Sequence, residues 1–165
     1  MNTVPAAGCQ RVGIGQLKIG ASGGQLEAVL GSCVGIALIW KAAGRCGLAH
    51  CLLPEAPGQQ ASAAELAASA RYVSVAVPSL LRLMGAHEED YPDIEAVVAG
   101  GASMLDKRSQ RLQVGRQNAA AARKYLRERG LHVSATCLGG EYGRTMYVDC
   151  ATQNVIVRDI VPVQD

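Results

Sequence analysis

The sequence contains no phenylalanine and a single tryptophan, and aromatic residues make up only 4% of its 165 positions. Because 49% of the residues are nonetheless hydrophobic, the core must be built from aliphatic and small side chains. A chain of this length can bury a core of its own. We therefore predict one domain over residues 1–165, with residues 1–10 as a flexible tail.

The sequence also lacks a strong charge of either sign, since 16 Lys and Arg residues against 14 Asp and Glu residues leave a formal net charge of +2. The basic residues form no stripe, so nucleic-acid binding is not predicted. No apolar run approaches the roughly 20 residues that cross a bilayer. Residues 1–11 lack the basic start and apolar centre of a signal peptide. We expect a cytoplasmic protein that does not insert into a membrane.

Six cysteines are present, but no CxxC pair is among them. Cys46, His50 and Cys51 are close in sequence, and a metal-binding regulator built on them is a distant alternative. Adjacent strand residues point to opposite faces, so His50 and Cys51 would not converge on one ion, and we expect no metal. In a reducing cytosol we expect free thiols, mostly buried as small hydrophobic residues.

Nucleotide-binding loops are also missing. The glycine-rich run at residues 100–103 follows a predicted strand, but it has neither the GxxxxGK[ST] nor the GxGxxG spacing. We expect no cofactor, and we interpret this run as a close backbone crossing.

Hydrophobic periodicity predicts an α/β (α+β) fold, with a mainly antiparallel or mixed sheet and two main helices. A capping-box spacing from Ser62 to Glu65 predicts a helix from residue 62 to about residue 84, kinked or divided at Pro78. A second helix is predicted over 115–129, ended by Gly130. Strands are predicted at 11–19, 25–30, 94–99, 131–138, 145–150 and 155–161, and residues 139–144 would join two of them as a turn.

Two apolar runs, at residues 30–40 and 45–54, are separated by a short connection that ends in glycine. This pattern predicts a β-hairpin. With residues 41–44 as the turn, Trp40 pairs with Arg45.

The same register brings a thiol and an imidazole together. Cys33 lies opposite Leu52, and His50 lies two residues along on the same face of the hairpin. Such diagonal neighbours are about 7–8 Å apart at the backbone, within reach of the two side chains. A three-residue turn would instead place His50 on the opposite face.

A Cys–His pair is the arrangement that nucleophilic catalysis by a thiol requires, because a free thiol is mostly protonated at neutral pH. Gly31 and Ser32 would let a substrate carbonyl approach the backbone beside Cys33, where N–H groups can stabilise an oxyanion. The alternative is that Cys33 is a core residue and His50 a structural histidine. The spacing alone leaves both interpretations open.

Five short segments follow one another along the chain: 30–34 (LGSCV), 49–54 (AHCLLP), 99–104 (AGGASM), 114–118 (VGRQN) and 139–144 (GGEYGR). The most specific are LGSCV, which contains Cys33, and the HxxLP pattern that begins at His50. Together, in this order, they resemble the CheD family of chemoreceptor glutamine deamidases of bacterial chemotaxis.

The resemblance implies a layered α/β sandwich similar to the catalytic domain of the deamidating necrotizing-factor toxins. It implies that Cys33 attacks the side-chain carbonyl of a glutamine in a methyl-accepting chemotaxis receptor, with His50 taking the thiol proton. Hydrolysis of the thioester would then give glutamate. Some members also act on glutamate methyl esters or bind a CheC-type phosphatase.

One departure from the family concerns the group that orients the histidine. Members usually carry a threonine a few residues before the LGSC block, whereas residues 25–29 contain neither threonine nor serine. Glu27 would either orient His50 as an acidic third member or be a solvated strand residue. A docking module that binds receptors or a phosphatase is therefore kept as the alternative to an active deamidase.

Overall fold

The computed structural model describes residues 8–20, 24–56, 69–103 and 112–161. Within these ranges the chain forms strands, two α-helices, and short 3₁₀ turns at Lys41–Ala43 and Glu88–Asp93. None of the described helices has the length and apolar character that a membrane crossing requires. The strands are β1 (Cys9–Arg11), β2 (Leu17–Gly20), β3 (Gln25–Leu30), β4 (Val34–Trp40), β5 (Arg45–Cys51), β6 (Glu95–Gly100), β7 (His132–Leu138), β8 (Arg144–Asp149) and β9 (Asn154–Asp159), and the helices are α1 (Val73–Leu83) and α2 (Leu112–Glu128).

The strands form two mixed sheets, which confirms the predicted α+β class. One sheet has the order β1-β3-β8-β9 and the other β2-β5-β4-β6-β7. The β1–β3 and β6–β7 pairs are parallel, and the remaining pairs are antiparallel. Residues 139–144 therefore carry the chain from β7 in one sheet to β8 in the other. The turn that the sequence predicts there does not close a hairpin.

Three layers follow from the alternation of side chains along β4, which is buried on both faces. Its residues Ala37 and Ile39 belong to the apolar cluster between the two sheets. Ile36 and Leu38 belong to a second cluster, which the helices cover. The structure is thus a sheet–sheet–helix sandwich, and its aliphatic core agrees with the lack of phenylalanine.

The central hairpin has the predicted register at its turn, with Trp40 opposite Arg45 and Gly35 opposite His50. The first arm is shorter than predicted, however, because β4 begins at Val34 and the last ladder pair is Val34 with Cys51. Cys33 therefore lies in the bend that joins β3 to β4, and it does not pair with Leu52 across a ladder.

The N-terminal end of the helix predicted from residue 62 is wrong. Among the described residues, α1 starts only at Val73. Residues 57–68 lie outside the described residues. Tyr72 is extended and bridges Leu53, and the Arg71 carbonyl accepts hydrogen bonds from the Leu52 and Leu53 N–H groups. This pairing commits the backbone before Val73 to an extended path. Pro78 lies inside α1 and does not divide it.

The strand predicted over residues 11–19 is in fact two strands, β1 and β2, in different sheets. Between them, residues 12–16 turn around the end of β5, where Gly15 N–H donates to the His50 carbonyl at 2.9 Å. The predicted tail over residues 1–10 lies mostly outside the described residues. Its last two residues, Cys9 and Gln10, belong to β1.

The expectation that all cysteines are free is also corrected. Cys46, on β5, and Cys150, just after β8, form a disulfide that joins the two sheets, with their Cα atoms 5.9 Å apart. The other four cysteines are free. The two partners lie 104 residues apart in sequence, so their proximity follows from the packing of the sheets, which no local pattern in the sequence reveals.

Candidate active site

Cys33 lies at the crossing from one sheet to the other. Its side chain is only 6% exposed and belongs to the apolar cluster between the sheets. The bend is held by a second loop, because the Cys33 carbonyl accepts a hydrogen bond from Gly101 N–H at 2.9 Å and the Gly31 carbonyl accepts one from Ala102 N–H at 2.9 Å. The nucleophile candidate is therefore fixed at its backbone on both sides.

His50 lies one residue from the end of β5 and is 3% exposed. Cys46 and Leu48 precede His50 by four and two residues on β5, so they share its face. Both point between the sheets, and the imidazole therefore lies on the same side as Cys33. Gly35, directly opposite His50, allows the other sheet to come close: a Cβ there would lie 2.8 Å from the sulfur of Met146. The histidine is thus largely removed from solvent.

The hydrogen bonds of the ring fix its tautomer. The nitrogen Nδ1 lies 2.9 Å from the Val12 carbonyl oxygen. Because a carbonyl can only accept, Nδ1 carries the proton and donates it, and Nε2 carries the lone pair. Nε2 is buried and has no hydrogen-bond partner among the described residues. A general base requires this arrangement: one nitrogen oriented by an acceptor and the other free to take a proton.

The loop formed by residues 12–16 holds His50 through its backbone as well as its ring. His50 N–H donates to the Gln16 carbonyl at 2.9 Å, complementing the bond from Gly15 to the His50 carbonyl. Val12, which accepts from the ring, is itself fixed because its N–H donates to the Glu27 carbonyl at 2.7 Å. The orienting group is therefore a main-chain carbonyl, which sequence reasoning missed because any residue type can supply it.

Glu27 does not orient the imidazole with its side chain. Its carboxylate forms an ion pair with Arg11 at 3.5 Å, on the face of β3 opposite to the buried residues Leu26 and Ala28. Of the two interpretations offered by the sequence, the acidic third member is wrong. Glu27 is a strand residue paired with a surface arginine, and it contributes to the site only through its carbonyl.

Burial acts on the two candidate reacting groups in opposite directions. It raises the pKa of the Cys33 thiol, and the neighbouring Cys33 N–H offsets this in part. It lowers the pKa of His50, and the hydrogen bond with the Val12 carbonyl offsets this in part. Because burial penalises the charged form of each group, both groups are neutral at rest, Cys33 as a thiol and His50 as an imidazole.

The glycine segments of the sequence meet behind Cys33, and this confirms the predicted close crossing. Gly100 has φ +105°, and a Cβ at this position would collide with the Cys33 carbonyl. Arg144, only 7% exposed, donates from Nη1 to the Gly100 carbonyl at 2.9 Å and from Nε to Asp159 at 3.1 Å. Arg144 thus has a structural role, since it ties the glycine loop to Asp159.

Asn118 is a second residue that sequence reasoning missed, although it ends the VGRQN segment. It lies on α2 with 0% exposure, and its amide nitrogen Nδ2 bonds to the carbonyls of Ser32 and Leu52. An asparagine on the apolar side of an amphipathic helix can be recognised from the sequence as a candidate buried polar residue, but its hydrogen-bond partners could not be predicted.

The three residues of the metal alternative do not converge. Cys46 is bonded to Cys150, and Cys51 packs in the cluster beneath the helices, on the other face of β5 from His50. Burial also raises the pKa of the Cys51 thiol strongly. Across the described ranges, the structure brings no three His, Cys, Asp or Glu side chains together as a metal site.

Comparison with known proteins gives one consistent result. A family model described as "CheD chemotactic sensory transduction" matches residues 52–159. A protein of Bdellovibrio bacteriovorus named "Probable chemoreceptor glutamine deamidase CheD" is 41% identical over 139 residues, covering 83% of this chain and 86% of its own. Similarly named proteins of Ruegeria sp. and Pyrococcus horikoshii are each 36% identical, over 90% and 91% of both chains.

Proposed function

The chain belongs to the CheD family, and on that premise we propose that it hydrolyses the side-chain amide of glutamines in chemoreceptors, giving glutamate, as part of chemotaxis. The observation that carries the chemical part of the proposal is the state of His50. Its Nδ1 proton is bound to the Val12 carbonyl, and its Nε2 lone pair is buried, has no partner among the residues that the structure describes, and lies on the face of Cys33.

In the first half-reaction, Cys33 Sγ attacks the carbonyl carbon of the glutamine side chain while its proton passes to His50 Nε2. The tetrahedral intermediate then collapses: the carbon–nitrogen bond breaks, and His50 returns the proton to the departing nitrogen, which leaves as ammonia. The product is a thioester between Cys33 and the substrate. The Cys33 N–H, which already lies beside Sγ, is a suitable donor to the transient oxyanion.

In the second half-reaction, His50 Nε2 takes a proton from water, whose oxygen attacks the thioester carbonyl. The carbon–sulfur bond breaks, Cys33 recovers its proton from His50, and a glutamate carboxyl group is released. The pair returns to the neutral thiol and imidazole with which it began. The cycle uses one water molecule and liberates one ammonia, and the Val12 carbonyl holds the ring in one orientation through both proton transfers.

The experiment that tests the proposal is mass spectrometry of a chemoreceptor fragment incubated with purified protein. Deamidation adds about one dalton per glutamine, through exchange of NH₂ for OH in the hydrolysis. We expect this gain at defined glutamines with the wild type, and no gain with Cys33→Ala or His50→Ala. Cys137→Ala is the matched control, since Cys137 is another free cysteine and lies on β7, paired with Ala99 of β6.

The outcomes separate an enzyme from a docking module. A mass gain that persists in Cys33→Ala would overturn the assignment of the nucleophile. A fragment that binds the wild type but never gains mass would contradict the deamidase and favour a docking role.

A further inference from the structure

Asn118 joins the two backbone segments that carry the candidate reacting groups. Its Nδ2 lies 3.0 Å from the Ser32 carbonyl and 2.9 Å from the Leu52 carbonyl. Both neighbours are acceptors, so the amide must present its two N–H groups to them, and this fixes its orientation. Ser32 immediately precedes Cys33, and Leu52 follows His50 by two residues.

The bridge lies where the hairpin ladder ends. Beyond the pair of Val34 with Cys51, the Cys33 carbonyl turns to Gly101 N–H and the Leu52 N–H turns to the Arg71 carbonyl. No ladder bond therefore joins the two arms at the level of the nucleophile. Asn118 spans this gap from the helix layer, with one donor to each arm.

The hydrogen bonds of Asn118 do not suit a residue whose only role is to stabilise the fold. The amide satisfies two carbonyls with Nδ2, but its own Oδ1 is buried without a partner among the described residues. An unsatisfied buried acceptor costs stability, and an apolar side chain would avoid this cost at that atom. The arrangement is explained if the separation of the two arms is what the side chain maintains.

We propose that Asn118 is a positioning residue that sets the distance between Cys33 Sγ and His50 Nε2. The proposal rests on the proposed function, because it assigns Asn118 a role in the same proton transfer. Loss of the bridge lets the Cys33 bend and the end of β5 move independently. A displacement of about 1 Å in such a pair lowers the rate by about 100-fold.

The test compares Asn118→Ala and Asn118→Ser with Leu126→Ala. Leu126 is on the same helix, about two turns beyond Asn118, is equally buried and is an apolar core residue that makes no side-chain hydrogen bond to either arm, so its variant reports loss of packing alone. The serine variant retains one donor and provides a second, milder substitution. Folding of each variant is verified by circular dichroism, and all rates are measured below its thermal midpoint.

The first readout is alkylation of Cys33 by iodoacetamide, a small primary amide, followed on the peptide that contains Cys33 from neutral to alkaline pH. His50 assists this reaction while the thiol is protonated and becomes irrelevant once the thiolate has formed. We expect Asn118→Ala to lower the neutral rate by about 10-fold or more while the alkaline rate is unchanged. Asn118→Ser should be intermediate, and Leu126→Ala should keep the wild-type ratio.

The second readout is deamidation of a receptor fragment, where kcat should fall and KM should remain within about twofold, because Asn118 is buried and cannot touch the substrate. Asn118 variants that lower the thermal midpoint but keep the wild-type ratio of neutral to alkaline alkylation would overturn the positioning role. Since alkylation requires no receptor, absence of deamidation in the wild type would contradict the proposed function without deciding the role of Asn118.

Discussion

Cys33 and His50 are both buried between the sheets, and the consequences are clearest at the scale of single residues. A preformed thiolate–imidazolium pair would place two charges in an apolar cluster that contains Leu30 and Met146. The shifts in pKa oppose this, since the thiol is raised and the imidazole is lowered. The thiolate is therefore expected to form only as the substrate is attacked, with His50 as the base.

This assignment fixes the direction of the pH dependence. The active form of His50 is the neutral imidazole, which is present above its pKa, and burial lowers that pKa from the ordinary value of 6.5. We expect kcat/KM for deamidation to stay level as the pH falls to 6.5 and to decline only below it. A pH–rate profile, with folding monitored at each pH, tests this, and an acidic midpoint above 6.5 would indicate an ionised resting pair.

Glu27 is not expected to act in catalysis through its side chain. Its carboxylate pairs with Arg11, whose side chain is 72% exposed, and exposed ion pairs contribute about 0.2–1 kcal/mol. Glu27→Gln should therefore change the free energy of unfolding by no more than about 1 kcal/mol and leave kcat within about twofold, because its carbonyl still holds Val12. A loss of activity above about tenfold with normal stability would restore the carboxylate as the orienting group.

At the scale of elements, the hairpin was predictable because its information is local. Apolar runs, a glycine at the end of the turn and the period of two fix the Trp40–Arg45 pair and the face of His50. The end of the first arm was not predictable, because the Cys33 carbonyl accepts its hydrogen bond from Gly101 N–H, in a distant loop, and not from the second arm. The start of helix α1 was not predictable for the same reason. The pairing of Tyr72 with Leu53 sets it, whereas the sequence before Val73 favours a helix.

Gly100 offers a test of how closely the glycine loop must approach Cys33. Its φ of +105° is strained for any other residue, and a Cβ would also meet the Cys33 carbonyl. We expect Gly100→Ala to cost more than the 1–3 kcal/mol typical of backbone strain alone and to abolish most of the deamidation by displacing the bend. Thermal denaturation and the mass-spectrometric assay measure the two effects.

Gly44→Ala is the matched control for this prediction. Gly44 also has a positive φ, +65°, but a Cβ there meets nothing within 4 Å. The Gly44→Ala variant should therefore lose only the stability that backbone strain costs, and it should keep full activity. Equal losses of stability in the two variants, both active, would mean that the loop can yield and that close approach is not required.

At the scale of the whole molecule, the site is assembled by contacts between distant parts of the chain. Val12 reaches His50 across 38 residues of sequence, and Asn118 reaches Ser32 across 86. Neither contact has a local signature, since one partner is a main-chain carbonyl and the other bonds only to main-chain carbonyls. The sequence could therefore identify the thiol, the imidazole and their common face, but it could not identify the groups that hold them.

The disulfide between Cys46 and Cys150 is the covalent counterpart of these long-range contacts, because it joins the two sheets at the end of β5 remote from His50. A bridge that closes a loop of about 100 residues restricts the unfolded chain and stabilises the fold by typically 2–4 kcal/mol. We expect reduction to lower the denaturation midpoint of protein purified without reductant. Labelling in denaturant should reach only the four free cysteines until reductant is added. Cys137→Ala, which removes one of those four, should leave the effect of reductant unchanged. Labelling of all six cysteines without reductant would contradict the bridge, and the two sheets would then be held by the apolar cluster between them and by hydrogen bonds such as the one from Arg144 to the Gly100 carbonyl.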